Sequence, residues 1–402
     1  MEAFRIVGGK VVLEDRVVEN GTVAAVGGRI IYAGPAEGFG EEIYASREVG
    51  RLPAAAFSTY DAAGGWVFPG FIDVHVHGGG GSDAMNATAG ALERIARIHG
   101  RHGTTGFLAT TMTAAHKDVC GAARAVRDTV AACERAPWEG ARLLGLHLEG
   151  PYLNPKRAGA QDPALMRPAV PEELREIAEI LGDALRLVTL APEIEGGMAA
   201  LRFFCSAGAV VSLGHTDADT DQARAAFRAG ARHVTHMFNG MRPLHHRDPG
   251  IAGVALLEEG AVCKVIADGI HLHPDAIRLL FRIKGADGLC LITDAIEATG
   301  MPEGIYQLGG LEVRVQDGAC RLTSNGSLAG SVLTMDRAVG YVVEVVGLPV
   351  VAAARMAALV PARQLRLADR KGSLRVGKDA DIAVLDSGFR AVATWVEGRR
   401  IA

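Results

Sequence analysis

The chain has 402 residues, 49% of them hydrophobic and 22% charged, with a formal net charge of −4. That length and mix suit one large domain with a smaller companion and exclude a disordered or collagen-like chain. The slight acidity gives no nucleic-acid footprint, so an anionic ligand would need a locally basic pocket.

At the N-terminus, Glu2, Arg5 and Lys10 interrupt any signal-peptide core, and no apolar run reaches the length of a membrane span. Residues 1–60 read as short strands with Gly-rich turns (FRIVGG, VVLED, TVAAVGGRIIYAGP), and residues 372–400 read the same way. This pattern predicts a small antiparallel sheet domain assembled from both chain ends. Six cysteines (120, 133, 205, 263, 290, 320) are scattered without any CxxC. They read as reduced thiols of a cytoplasmic protein, with Cys263 and Cys290 in the core.

From Gly70 onward, short apolar runs alternate with segments of helical spacing. The runs are FIDVHVH (71–77), TGFLATT (105–111), RLLGLHLEG (142–150), LRLVTLAPE (185–193), AVVSLGHT (209–216), HVTHMFN (233–239), CKVIADG (263–269) and LCLITDA (289–295). Stretches such as ALERIARIHGRHG, PEELREIAEILGDAL, DTDQARAAFRAGA and HPDAIRLLFRIKG separate them; 241–260 is less regular. Eight β-then-α units predict a (β/α)8 TIM barrel. The 295–330 connection is too long for an ordinary βα loop and contains a hairpin that could act as a lid.

Polar residues collect at the ends of these runs. His75 and His77 share one strand face and close the first run, ahead of four glycines. Glu149 ends the third run and His215 the fifth; His236, Asp268 and Asp294 lie late in the sixth, seventh and eighth. In a barrel all these ends open on one face. Each histidine taken singly is better explained by structure than by ligation, but four histidines with Glu149 and Asp294 form an N/O donor set for divalent Zn, Fe, Mn or Co. His99, His102 and His116 are expected on helix surfaces or loops. GGGG (78–81) reads as a loop leaving room beside the metals.

The motifs HVHGGGG, LHLEGPYLNPKRAGAQ, LGHTDA, THMFNGM, ADGIHLHP, LITDA, GSLAGSVLTM and GSLRVGKDADIAVLD occur in this order. On them the chain resembles the N-acetylglucosamine-6-phosphate deacetylase family of the amidohydrolase superfamily. The resemblance implies a barrel at 67–368 and a β-sandwich from 1–66 and 369–402, in a homodimer. The implied reaction is hydrolysis of the acetamide of a phosphosugar, with no nucleic-acid or membrane partner. It implies that Glu149, His215 and His236 hold a principal metal, that His75 and His77 share Glu149 around a second, and that Asp294 is the catalytic acid–base. Zn is the first expectation, with one or two ions per chain. Arg247 and His271 match phosphate contacts offered by the neighbouring subunit, and Asn239 and Gly240 match backbone donors. Ala160 and Gln161 match a segment touching the sugar, although some members carry histidine at the latter. Leu328, Ala329 and Gly330 match a lid segment. The fourth run lacks the lysine that many binuclear amidohydrolases carboxylate, which favours the amino-sugar branch. The alternatives are another N-acyl amino-sugar or N-acyl amino-acid deacetylase on the same scaffold, and a non-catalytic dimeric scaffold.

Overall fold

The structure, a computed structural model, describes residues 2–40, 42–46, 50–135 and 138–402. Eight parallel strands follow one another in chain order around a barrel: Phe71–Val76, Thr104–Thr110, Arg142–Glu149, Leu185–Leu190, Val210–Leu213, His233–Val234, Val262–Ile266 and Leu289–Ile292. Each coincides with one of the eight apolar runs, with Thr104–Thr110 and Val262–Ile266 starting one residue ahead of theirs. Parallel strands covered on both faces are apolar on both, so they stand out in the sequence as unbroken runs. The last strand returns to the first, where Asp294 N donates to His75 O at 3.0 Å and His77 N donates to Ala295 O at 2.9 Å.

The helices lie where the spacing places them: Ala89–Gly100, Pro171–Leu181, Thr220–Arg228 and Pro274–Lys284. Thr220–Arg228 starts at a capping box, in which Asp219 accepts from Gln222 N and the Gln222 side chain accepts from Asp219 N. The less regular 241–260 stretch contains a short helix, Gly250–Leu257.

Strands from both chain ends form one eight-stranded sheet. Its pairing is mixed, where the sequence suggests an antiparallel sheet: Ala3–Val12 runs parallel to Ser58–Asp61 along one half and to Trp66–Pro69 along the other. Register shifts at Gly9 divide those halves, and Ile382–Leu385 extends the sheet antiparallel to Trp66–Pro69. Phe4, Ile6, Val23, Val67, Ile382 and Trp395 share its core. A second apolar contact joins sheet to barrel, where Trp66 and Phe389, stacked at 5.4 Å, pack on the barrel core and Phe68 meets Phe71 edge-on. Beneath it runs an ionic link. Buried Lys371 pairs with Asp381 at 2.8 Å and Asp379 at 3.1 Å and reaches Glu397, which in turn takes Arg142 at the foot of the third barrel strand.

The connection after the eighth strand forms a three-stranded antiparallel sheet, Gly304–Leu308, Leu311–Gln316 and Ala319–Leu322, one strand more than the expected hairpin. Its inner face packs Leu308, Val313 and Leu322 against Met112 and Ile296 beside the barrel mouth.

Two expectations need correction. His99 is fully buried, with Nε2 3.0 Å from the carbonyl of Gly78. It supports the glycine stretch, and the apolar stripe of its helix turns it inward. That stretch makes no spacious loop either. Gly78–Gly79 pairs with Ser82–Asp83, and a Cβ on Gly78 would stand 2.4 Å from Ser82 O and 2.6 Å from Glu297 N. Gly80 and Gly81 turn the chain at φ +61° and +74°. The glycines permit close passage. His102 and His116 are half-buried and paired with Asp336 and Glu176, while Cys263 and Cys290 lie in the core.

Candidate metal centre and active site

The barrel's C-terminal mouth gathers four histidines from three strand ends onto one carboxylate. Glu149 Oε2 lies 3.3 Å from Nε2 of both His75 and His77, while Oε1 lies 3.6 Å from His215 Nε2 and 3.5 Å from His236 Nε2. Within each pair the two Nε2 atoms stand 3.2 Å apart. Asp294 Oδ1 adds a further contact, 3.3 Å from His75 Nε2 and 3.2 Å from His77 Nε2. All six residues are buried.

These spacings suit divalent cations, for which Glu149 would be shared between the two imidazole pairs. N and O ligands about 2.0–2.1 Å from a tetrahedral ion are separated by about 3.3 Å. The observed separations lie near that edge length. Paired imidazole nitrogens facing one another have no other good use, since a proton between them satisfies only one ring. Glu149 Oε1 has no hydrogen-bond partner among the described residues, as expected of an atom kept for a ligand.

The charges agree. Burial works to raise the Glu149 carboxyl, but His75, His215 and His236 hold it well below the usual range. Asp294 is likewise held low against burial, by His75 and His77. Burial pushes His75 down to about 4; His77 is pushed up to about 10 because bonds from Asp294 and Glu149 outweigh burial. Two carboxylates thus hold a positive charge between them even with only a proton to provide it.

Backbone contacts orient one pair of rings. His215 Nδ1 is 2.9 Å from Arg157 O and His236 Nδ1 is 3.0 Å from Asn239 O, so each Nδ1–H donates and each Nε2 keeps its lone pair. Nδ1 of His75 and of His77 has no such partner among the described residues. His215, His236 and Asp294 also adopt left-handed φ of 47°, 28° and 54°. Non-glycine residues rarely do so, and three together at strand ends mark strain concentrated on a site.

Gln161 is buried against this centre. Its Oε1 accepts Thr113 N–H at 2.7 Å, which fixes Nε2 as the donor to Glu149 Oε2 at 3.0 Å. Gln161, Ala160, Asn239, Gly240, His271, Leu328 and Gly330 all line a cavity of about 320 Å³ above the histidines. Gly240 lies at φ +57°, and a Cβ there would sit tightly against His215 Nδ1 at 3.1 Å and His236 Cε1 at 3.3 Å, so a side chain would press on both rings. Asp268 turns aside to bind His271, with Oδ2 2.6 Å from Nδ1. Ala329 faces the apolar cluster under the three-stranded sheet and is absent from the cavity wall. Arg247 is exposed on the 241–249 loop, 2.7 Å from His246 Nε2, and does not line this chain's cavity.

One layer further down the barrel is polar where such barrels usually pack Val, Ile and Leu. His147 lies between Thr110 and Thr189, Asp73 accepts from Thr293 Oγ1 at 2.5 Å, and Lys264 is fully buried without a hydrogen-bond partner among the described residues. His147 packs on His75 with ring centroids 4.6 Å apart. Sequence reasoning missed this layer. The available signal was parity, since His147 and Asp73 each stand two residues before a candidate ligand and share its face.

A profile of the amidohydrolase family matches residues 66–401. The chain is 39% identical over 391 residues to an N-acetylglucosamine-6-phosphate deacetylase of Bacillus subtilis (strain 168), covering 96% of this chain and 94% of that one. It is 41% identical over 331 residues to an N-acetylgalactosamine-6-phosphate deacetylase of Escherichia coli O157:H7, covering 82% and 86%. Among solved structures, a mutant N-acetyl-D-glucosamine-6-phosphate deacetylase of Mycobacterium smegmatis, in complex with N-acetyl-D-glucosamine-6-phosphate, matches with TM-score 0.90 at 33% identity over all of both chains. An enamidase at 14% identity and TM-score 0.60 shares the fold alone.

Proposed function

We propose, since the chain belongs to the amidohydrolase family, that it hydrolyses the acetamide of N-acetyl-D-glucosamine 6-phosphate to D-glucosamine 6-phosphate and acetate. The reaction serves amino-sugar catabolism and cell-wall sugar recycling. The observation that carries this reading is Glu149 offering one oxygen to each of two imidazole pairs, with Asp294 beside them at the wall of a sugar-sized cavity.

Glu149, His215 and His236 would hold the principal ion and His75 and His77 a second, with Zn first and Fe, Mn or Co as substitutes. When bound, such a cation makes hydroxide available near neutral pH and polarises the acetyl carbonyl. Asp294, kept ionised by its neighbours, accepts the water's proton and delivers it to the sugar nitrogen as the C–N bond breaks, because an amide anion cannot leave unprotonated. Gln161 holds Glu149 in position from one side. His271, its Nδ1 occupied by Asp268, keeps Nε2 for the substrate. Asn239 and Gly240 offer backbone groups, and Ala160, Leu328 and Gly330 close over the sugar, while Ala329 packs away from it in the apolar cluster.

Arg247 is assigned to the phosphate in the site of a second copy, which makes the working unit a homodimer. Its exposed position outside its own cavity supports that assignment. We place the second domain division at 368/369 and move the first from the expected 66/67 to 69/70, because Trp66–Pro69 is a strand of the terminal sheet. The six unpaired cysteines suit a reducing compartment, the cytoplasm. No described helix is long and apolar enough to cross a membrane.

The E. coli O157:H7 relative favours a second substrate, N-acetylgalactosamine 6-phosphate, which differs only at one ring hydroxyl. Acetate release from both phosphosugars, with and without chelator, tests the proposal. Turnover of the glucosamine form that stops on chelation supports it; release from neither sugar overturns it.

A further inference from the structure

His116 opens the helix His116–Arg135, and Cys120 follows one turn later on the same face. Glu176 comes from the neighbouring helix Pro171–Leu181. The three meet at one ring nitrogen, with His116 Nε2 2.9 Å from Glu176 Oε2 and 3.5 Å from Cys120 Sγ. A ring nitrogen carries either a hydrogen or a lone pair, so through a proton it satisfies only one of these neighbours. A single cation satisfies all three. In a tetrahedral zinc site N and S ligands stand about 3.6 Å apart and N and O ligands about 3.3 Å. The N–S separation already fits; the carboxylate need withdraw only a few tenths of an ångström.

The far side of the ring supplies an independent indication. His116 Nδ1 is buried and has no hydrogen-bond partner among the described residues, and Glu173 Oε2 stands 3.7 Å away. Glu173 is itself anchored by Arg167 Nε at 3.0 and 3.1 Å and by Tyr152 OH at 3.2 Å. A fixed carboxylate facing the second nitrogen is the arrangement that orients a metal-bound imidazole. Cys120 is buried, His116 half-buried and Glu176 exposed, so the open side faces solvent and can admit a fourth ligand.

We propose that His116, Cys120 and Glu176 form a peripheral site for a thiophilic divalent cation of the zinc class, separate from the Glu149 centre. Thiolate, imidazole and carboxylate together select a borderline ion over magnesium or calcium. As the Sγ–metal bond forms, the thiol proton leaves to solvent. The site clips together two helices between which the chain carries Glu149 and Gln161.

Loading the holoenzyme with Co²⁺ tests this, read as the near-ultraviolet thiolate-to-cobalt charge-transfer band and as ions bound per chain. The expected result is a band in the wild type, lost together with one cobalt ion per chain in Cys120→Ser and lost in His116→Ala, with deacetylase activity of Cys120→Ser unchanged. No cysteine belongs to the Glu149 centre, so the band reports this site whether or not the catalytic assignment stands. A wild type without the band at saturating cobalt, or a band that persists undiminished in Cys120→Ser, overturns the proposal.

Discussion

Asp294 donates its backbone N–H to the carbonyl of His75 at 3.0 Å, so the hydrogen bond that closes the barrel also sets the proposed acid–base beside a proposed ligand. Asp294→Asn keeps the size of the side chain and this backbone bond, and removes the base. Turnover is expected to fall by ~10²–10⁴ with phosphosugar binding near normal. Activity within tenfold of wild type would move proton transfer to another group.

Removing His215 or His236 should abolish turnover and release about one ion per chain, since these rings are fixed by Arg157 and Asn239 carbonyls. His75→Ala and His77→Ala, whose rings have no such anchors among the described residues, should cost less. Metal analysis beside kinetics decides it, and full metal content in all four variants would refute the ligand assignment.

Gln161→Leu leaves Glu149 without its amide donor and Thr113 N–H without an acceptor. Loss of a group that orients a ligand costs ~10–100-fold in metal affinity. Competition with a chromogenic chelator measures this directly; an unchanged dissociation constant would leave Gln161 a role toward the sugar alone.

Arg247→Ala should lower kcat/KM for the phosphorylated sugar by about 10–200-fold, the worth of one charged hydrogen bond of roughly 1.5–3 kcal/mol. Unphosphorylated N-acetylglucosamine should be unaffected. If Arg247 serves the neighbour, mixing Arg247→Ala with Asp294→Asn chains restores activity in heterodimers. Heterodimers that form without rescue would place the arginine's action within its own subunit.

Burial pushes the Lys264 ammonium down to about 8 from its usual 10.5. Between those values the unfolded chain carries more protons than the folded one, so stability rises with pH across the window, by at most about 1.4 kcal/mol per unit. Below about 8 both states are charged and the penalty is constant. Urea unfolding of wild type and Lys264→Met at fixed metal content should differ in slope by this contribution, since the other titrating groups act equally in both. Equal slopes would show that Lys264 is solvated in the native state.

The eight barrel strands were legible because burial on both faces makes them apolar runs, and the ligands because they interrupt those runs at one end. Other features were hidden. HVTHMFN reads as a strand through residue 239, but only His233–Val234 pairs as one; beyond it His236 and Phe238 take left-handed φ, which residue type does not announce. The parallel partners of Ala3–Val12 lie some fifty residues away and leave no periodic trace. His99 looked like a surface residue because the hairpin that covers it is set by tertiary packing. A contact made inside another copy, as assigned to Arg247, is invisible in one chain's geometry.

The terminal sheet has a consequence for biosynthesis. Trp66–Pro69 is flanked on one side by the first strand of the chain and on the other by Ile382–Leu385. At roughly 5–20 residues per second, ribosomal synthesis leaves the N-terminal strands waiting about 20–70 s for that neighbour. Their exposed edge must stay unpaired during this interval while the barrel, complete by residue 292, can already close. The edge of Trp66–Pro69 is therefore an aggregation hazard until Ile382–Leu385 has been made, and that late strand acts as a latch over it.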